Sequence, residues 1–158
     1  MAVKQQGVLY GKIYQEFMAE TQKEKYRQIL SIAKTKPKGK ILDVACGPGF
    51  GSKMLKGAIF TDNNVAYLRA FNGLRVLADA NALPFRDKSF DTVLCIDFVH
   101  LMKKKKELAR VGKSLIVSAF CSEFNCKQKL EWLKGSFGKA EQEFLVKAKN
   151  EWDAVIVI

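Results

Sequence analysis

The chain has 158 residues, 48% of them hydrophobic, which suits one domain with a real core and excludes a disordered segment. No apolar run approaches the ~20 residues that span a bilayer, and no signal-peptide core opens the sequence, so a cytoplasmic protein without membrane contacts is expected. The formal net charge of +11 points to an anionic partner, nucleic acid being the commonest, although a solvated lysine surface accounts for it equally well: arginine occurs only at 27, 69, 75, 86 and 110.

Residues 8 to 35 carry apolar side chains at helical spacing, first Tyr10, Ile13, Tyr14 and Phe17, then Tyr26, Ile29, Leu30 and Ala33. Between them Thr21-x-x-Glu24 has the form of a capping box, which divides the region into two helices near Thr21. These form a helical cap over 1–36, and Lys34 to Gly39 lead into a core over 38–158. Lys40 to Val44 read as a buried strand that ends in the turn Ala45-Cys46-Gly47-Pro48-Gly49. A short helix follows from Gly51 to Lys56. Ala58 to Thr61 form the second strand, ending in Asp62-Asn63-Asn64, where Asn63 or Asn64 caps a helix carrying Val65, Leu68 and Phe71.

Leu74 to Ala78 form the third strand, ending in Asp79, and Ala80 to Lys88 form a loop. Phe90 to Ile96 form the fourth strand, ending at Asp97. Lys103 to Val111 read as a helix and Lys113 to Phe120 as the fifth strand. Ser122 caps a helix that runs to Lys134. Glu143 to Ala148 and Asp153 to Ile158 are two strands separated by too few residues for a crossover, so they pair antiparallel. Strands alternating with helices imply an α/β protein, a parallel sheet wound on both faces. Four cysteines stand at 46, 95, 121 and 126 with no C-x-x-C pair, and there is one histidine; reduced thiols and no metal are expected.

The chemistry gathers at strand ends. A glycine turn after a strand lets backbone N–H groups meet a ligand closely. The dinucleotide pattern G-x-G-x-x-G/A fails in both registers, because the third position falls on Ser52 or Phe50, and no Gly-Lys-Ser/Thr follows for a phosphate loop. The first four strands end in or beside Asp43, Asp62, Asp79 and Asp97. A single strand-end aspartate is often only a turn former, but four in succession on the ligand-binding edge of an α/β sheet point to a site. Asp62 follows Asp43 at the distance of a ribose-binding acid, and Asp79 can accept from an exocyclic amine. Cys46, in the turn, reads as a packing residue.

Leu42-Asp43-Val44-Ala45-Cys46-Gly47-Pro48-Gly49 resembles motif I of the class I S-adenosylmethionine (SAM) methyltransferases, with Ala45 where the family usually has Gly. Ala78 to Phe85 followed by Ser89-Phe90-Asp91-Thr92-Val93-Leu94 resembles the methyltransferase type 11 branch. The resemblance covers residues 38 to 121. It implies a doubly wound, seven-stranded, mostly parallel Rossmann-like sheet closed by an antiparallel C-terminal hairpin. It also implies SAM as cofactor and methyl transfer to a small molecule or RNA. Asp43, Ala45, Cys46, Gly47 and Gly49 would hold the methionine part, Asp62 and Asn63 the ribose, and Asp79 and Ala80 the adenine. Asp97 and Phe98 would line the transfer cleft, Asp97 and His100 being the candidate bases. His100 reads more readily as a helix-end or core histidine with its ring hydrogen-bonded. Lys103, Lys104, Lys105 and Lys106 would face nucleic acid if RNA is the acceptor. The segment before strand five lacks the family's Lys-Pro-Gly-Gly, which leaves open a shortened module that binds SAM, or a partner protein, without turnover.

Overall fold

The computed structural model describes residues 2–34, 36–69 and 72–158, with side chains from Glu16 onward in those ranges. The side chains of Tyr10, Ile13 and Tyr14, and residue Phe71, lie outside the described residues. The first element is one helix, α1 (Ala2–Ile32), not two. Thr21 is fully buried in mid-helix, and its hydroxyl donates back to the Phe17 carbonyl at 2.9 Å instead of capping a new helix. Thr21, Lys25, Tyr26, Ile29 and Ala33 recur at three- and four-residue steps and form the buried stripe of α1. Tertiary burial of that stripe outweighs the local capping signal.

Then follow β1 (Ile41–Val44), β2 (Ile59–Asp62), α2 (Val65–Leu68), β3 (Arg75–Leu77), β4 (Phe90–Cys95), α3 (Lys106–Val111), β5 (Gly112–Cys121), α4 (Cys126–Phe137), β6 (Gln142–Ala148) and β7 (Glu151–Val157). They form one seven-stranded sheet in the order β3-β2-β1-β4-β5-β7-β6. Pairing is parallel from β3 to β5 and antiparallel across β5–β7 and β7–β6. The hairpin has the expected sense. Gln28 of α1 caps the sheet edge: its side-chain amide accepts from the Lys147 N–H at 3.2 Å and donates to the Lys147 carbonyl at 2.6 Å.

The period-two alternation of the central strands sorts their side chains into two cores. Leu42, Val44, Val93, Cys95, Leu115, Val117 and Ile156 pack with Leu108 and Val111 of α3 and Leu133 of α4. Leu94, Ile96, Ile116, Val155 and Val157 pack on the other face with Tyr26 and Ile29 of α1 and Leu68 of α2. Other local expectations differ as well. The helix after the glycine turn is only a 3-10 turn at Ser52–Met54. The helix α4 begins at Cys126, not at a Ser122 cap; the Ser122 N–H instead donates to Asn125 Oδ1 at 2.8 Å, closing a turn before the helix. Among the described residues no helix is both long and apolar enough to cross a membrane.

The cysteines correct the all-reduced expectation. Cys121, at the end of β5, and Cys126, at the start of α4, are joined in a disulfide, while Cys46 and Cys95 are free and buried. The turn at Ser122–Asn125 brings the first pair together, and that contact is not encoded by any C-x-x-C spacing.

Candidate functional site

The carboxyl end of β1 turns sharply at Ala45, whose φ of 56° puts a non-glycine residue in the left-handed region. Gly47 and Gly49 continue the turn with φ of 56° and 74°. The neighbouring strand fixes this shape. The Cys46 N–H donates to the Thr61 carbonyl at 3.0 Å, and Asp62 Oδ2 accepts from the Gly47 N–H at 2.9 Å. Asp62 Oδ1 accepts from the Asn64 N–H at 2.8 Å, and Asn64 in turn caps α2 through the Ala66 N–H. Asp62, 8% exposed, therefore braces the glycine turn against the start of α2. A Cβ placed on Gly47 would meet nothing within 4 Å, so the turn faces open space.

That space is a cavity of about 740 Å³. The turn, from Ala45 to Gly47 with Pro48 and Phe50, forms one wall. The end of β4, with Ile96, Asp97 and Phe98, forms another, and Met18, Gln22 and Tyr26 of α1 cover it, with Tyr67 of α2 at the side. Of the residues singled out from sequence, Ala45, Cys46, Gly47, Asp97 and Phe98 line the cavity. Asp43, Gly49, Asp62, Asn63, Asp79, Ala80 and His100 do not.

Asp43 is fully buried below the cavity, and both its oxygens accept from the Tyr26 hydroxyl, at 3.0 and 3.2 Å; Ser52 Oγ donates to that hydroxyl at 3.2 Å. Burial raises its carboxyl to about 7; the hydroxyls of Ser52 and Tyr26 oppose the shift and the Asp62 charge adds to it. Tyr26 is itself pushed up, first by burial and then by the Asp43 charge. Burial and the same two carboxylates push the Cys46 thiol well up, which makes it a packing thiol rather than a nucleophile.

Asp97 stands at the end of β4 with φ of 60°, a second non-glycine residue in the left-handed region on the cavity wall. Its N–H donates to Ser118 Oγ at 2.9 Å. Its Oδ2 accepts from Lys25 Nζ at 2.8 Å and from Gln22 Nε2 at 3.3 Å, both on α1. Its Oδ1 is buried and has no hydrogen-bond partner among the described residues. A buried acceptor without a donor is costly unless something arrives to satisfy it.

The remaining candidates lie along the same sheet edge. Asp79 is exposed, and the backbone N–H and side chain of Asn81 hold its carboxyl below the usual range. Ala80 is buried beside it, and Asn63 is exposed next to Asp62. His100 is exposed in a 3-10 turn at Val99–Leu101 that is anchored by the buried Val99, and it does not line the cavity. The backbone N–H groups of Lys103 and Lys104 donate to Asn81 Oδ1, which places this lysine run at the carboxyl edge of the sheet. The helix α3 begins only at Lys106, not Lys103. Lys105 and Lys129 each lie 5.1 Å from the centre of the Trp132 ring. Sequence reasoning missed Met18, Gln22, Tyr26 and Tyr67. Tyr26 showed only as one apolar position of a helix, and no local pattern distinguishes a helix face that covers a cavity.

Residues 42–115 match the model of a family described as a methyltransferase domain. A curated relative, an uncharacterised protein of Methanocaldococcus jannaschii, is 29% identical over 119 residues, 68% of this chain and 53% of that protein. The chain thus spans about half the length of the curated relative it matches. Among solved structures, a SAM-dependent methyltransferase from Aquifex aeolicus is similar with a TM-score of 0.63 at 17% identity, covering 89% of this chain and 93% of that one. Another, from Thermotoga maritima, has a TM-score of 0.65 at 16% identity, covering 93% and 94%.

Proposed function

We propose that this chain is a class I SAM-dependent methyltransferase domain and that it transfers the methyl group of its cofactor to an acceptor held beside Asp97. One observation carries the reading: the glycine turn and the end of β4 border a single cavity, into whose wall Asp97 brings a carboxylate with one unsatisfied oxygen. The residues fit SAM. Its methionyl part would lie along the turn, where the open face of Gly47 leaves room, and the carboxylates of Asp62 and Asp79 on the same sheet edge can accept from its ribose and adenine.

The bound cofactor supplies a methyl group activated by positively charged sulfur. The protein has to align the acceptor with it and keep water out, and orientation of this kind supplies ~7–11 kcal/mol. Ala45 to Gly47 shape the turn against the methionyl part, and Asp43 and Gly49 support it from behind. Asp62 retains lone pairs on both oxygens after accepting its two N–H bonds, so it can take a ribose hydroxyl, with Asn63 beside it. Asp79 and Ala80, on the same sheet edge, would hold the adenine. Met18, Gln22 and Tyr26 of α1 cover the cavity. Asp97 orients a hydroxyl or amine acceptor and takes its proton; His100, turned outward, is the weaker candidate.

The acceptor is an RNA or a small anionic molecule. The lysines at 103–106, with Lys129 and Trp132, supply cationic and aromatic surface on the edge where the cavity lies. The same reading places the chain in the cytoplasm. Calorimetry is expected to show binding of SAM and S-adenosylhomocysteine and none of NAD; the reverse pattern sinks the proposal. Radiolabelled SAM with bulk RNA, and separately with a metabolite pool, is expected to label one of the two. Cofactor binding with no labelled product in either would favour the non-catalytic module.

A further inference from the structure

Lys25 is a buried side chain that the transfer scheme leaves unused. It is fully buried on the inner stripe of α1, and its Nζ meets Glu151 Oε2 at 2.7 Å, Asp97 Oδ2 at 2.8 Å and Asp153 Oδ1 at 2.9 Å. Burial acts to depress the ammonium, and the charges of Asp153 and Asp97 more than reverse it, so Lys25 stays protonated. One cation thus ties α1 to the end of β4 and the start of β7.

Stability alone does not call for this arrangement, because a buried ion network is often no more stabilising than well-packed apolar side chains of the same volume. Its geometry serves Asp97. The backbone of Asp97 is pinned through Ser118 Oγ, which donates to Asp153 Oδ2 at 2.6 Å, and its Oδ2 is taken by Lys25 and Gln22. Oδ1 alone is left without a partner among the described residues. Three carboxylates also face one ammonium. Asp153 is accordingly pushed up, first by burial and then by the Asp97 charge, with Lys25 only partly offsetting both. The buried Cys95 thiol of β4 also feels the Asp97 charge, and the Phe120 ring of β5 lies 5.9 Å from Lys25 Nζ.

We propose that Lys25 is a positioning residue: it clamps Oδ2 of Asp97 from the N-terminal helix and so presents Oδ1 as a fixed acceptor to the group entering beside Phe98. A cavity wall made this way depends on α1 being docked, which couples the N-terminal helix to the chemistry.

Removing Lys25 alone would strand three buried carboxylates and endanger folding. The informative variant is therefore Lys25→Met/Glu151→Gln/Asp153→Asn, in which the amide oxygen introduced at position 153 can still accept from Ser118, read beside Glu151→Gln, which keeps the lysine and its bonds to Asp97 and Asp153. The triple variant is expected to melt cooperatively and bind SAM within about threefold of the parent. Its turnover should fall tenfold or more while cofactor affinity holds. The Glu151→Gln variant should keep turnover near the parent. Parental turnover in the triple variant would overturn the proposal, as would equal losses in both variants. The inference rests on the transfer reading for its kinetic arm only. If the parent binds SAM but methylates nothing, crystal structures decide: the clamp requires one ordered Asp97 rotamer in the parent and in Glu151→Gln, and a rotated or split one in the triple. An unchanged rotamer there, or in a correctly folded Lys25→Met protein, overturns it.

Discussion

Asp43 and Asp97 end neighbouring strands, yet their surroundings give them opposite tasks. Asp43 has hydroxyl donors in a fully buried site, and burial lifts it to about 7 from an ordinary 3.8. Its folded form therefore keeps a proton that the unfolded chain releases, so stability declines as pH rises from about 4 to about 7 and is level above that. Asp153 acts with the same sign over a window ending near 6. The exposed carboxylates held low, such as Glu20 and Asp91, act the other way but only near and below pH 4. We expect the melting temperature to be higher at pH 5 than at pH 8. Asp43→Asn, which keeps the shape, should remove most of the difference, roughly 2–4 kcal/mol; an unchanged slope would mean Asp43 is ionised in the fold. Asp97 lies on the cavity wall with one buried oxygen that has no hydrogen-bond partner among the described residues. Asp97→Asn should cost ~10²-fold or more in turnover with SAM affinity little changed, and His100→Ala less. Steady-state kinetics beside calorimetry would show the reverse ranking if the base is misassigned.

The elements owe their placement to a few close approaches. Gly51 follows the glycine turn, and a Cβ there would lie 2.1 Å from Cδ2 of Tyr26, so only glycine lets α1 settle on the turn. Tyr26 is the side chain that covers Asp43, so this contact joins helix docking to the cavity floor. Gly51→Ala should therefore destabilise by ~2 kcal/mol or more and also weaken SAM binding, whereas a surface glycine such as Gly135, with nothing within 4 Å, should tolerate alanine. Urea melts and calorimetry on both variants test this; normal cofactor affinity in a destabilised Gly51→Ala protein would separate α1 docking from the site. Gly112 plays a similar part on the other face, where α3 runs straight into β5 and a Cβ would come within 2.6 Å of Val93.

Across the whole molecule the charge of +11 is not evenly useful. Lys103 to Lys106 lie at the carboxyl edge of the sheet, where the cavity is. Lys38 and Lys40 lie at the start of β1, bonded to Thr92 and Asp91 at the start of β4, and so at the opposite edge. If RNA is the acceptor, changing Lys103 to Lys106 to Gln should weaken its binding and lower the log–log salt slope by roughly 2–3, since each phosphate contact on a single strand contributes about 0.7. Changing Lys34, Lys36, Lys38 and Lys40 should do little. Equal effects in a salt titration of both sets would contradict the geometry.

Local pattern carried much of this protein. Alternation of strands and helices, the glycine turn at 45–49, the acids closing the first four strands and the short β6–β7 connection are all set by neighbours in sequence, because backbone period, turn chemistry and chain reach are local properties. Ala45 read in sequence only as a departure from the resembled motif's glycine, and its left-handed backbone came from the structure. What only the tertiary structure decided are contacts between distant residues. Tyr26 meets Asp43 across 17 positions and Lys25 meets Asp97 across 72. Thr21 looked like a cap because Glu24 follows at the right distance, but burying the whole stripe of α1 on the sheet outweighs one cap worth ~1 kcal/mol. Cys121 and Cys126 pair because a turn joins a strand end to a helix start, and the lysine in the core reads in sequence as one more surface charge. Burial decides its role, and burial depends on what the rest of the chain brings to it.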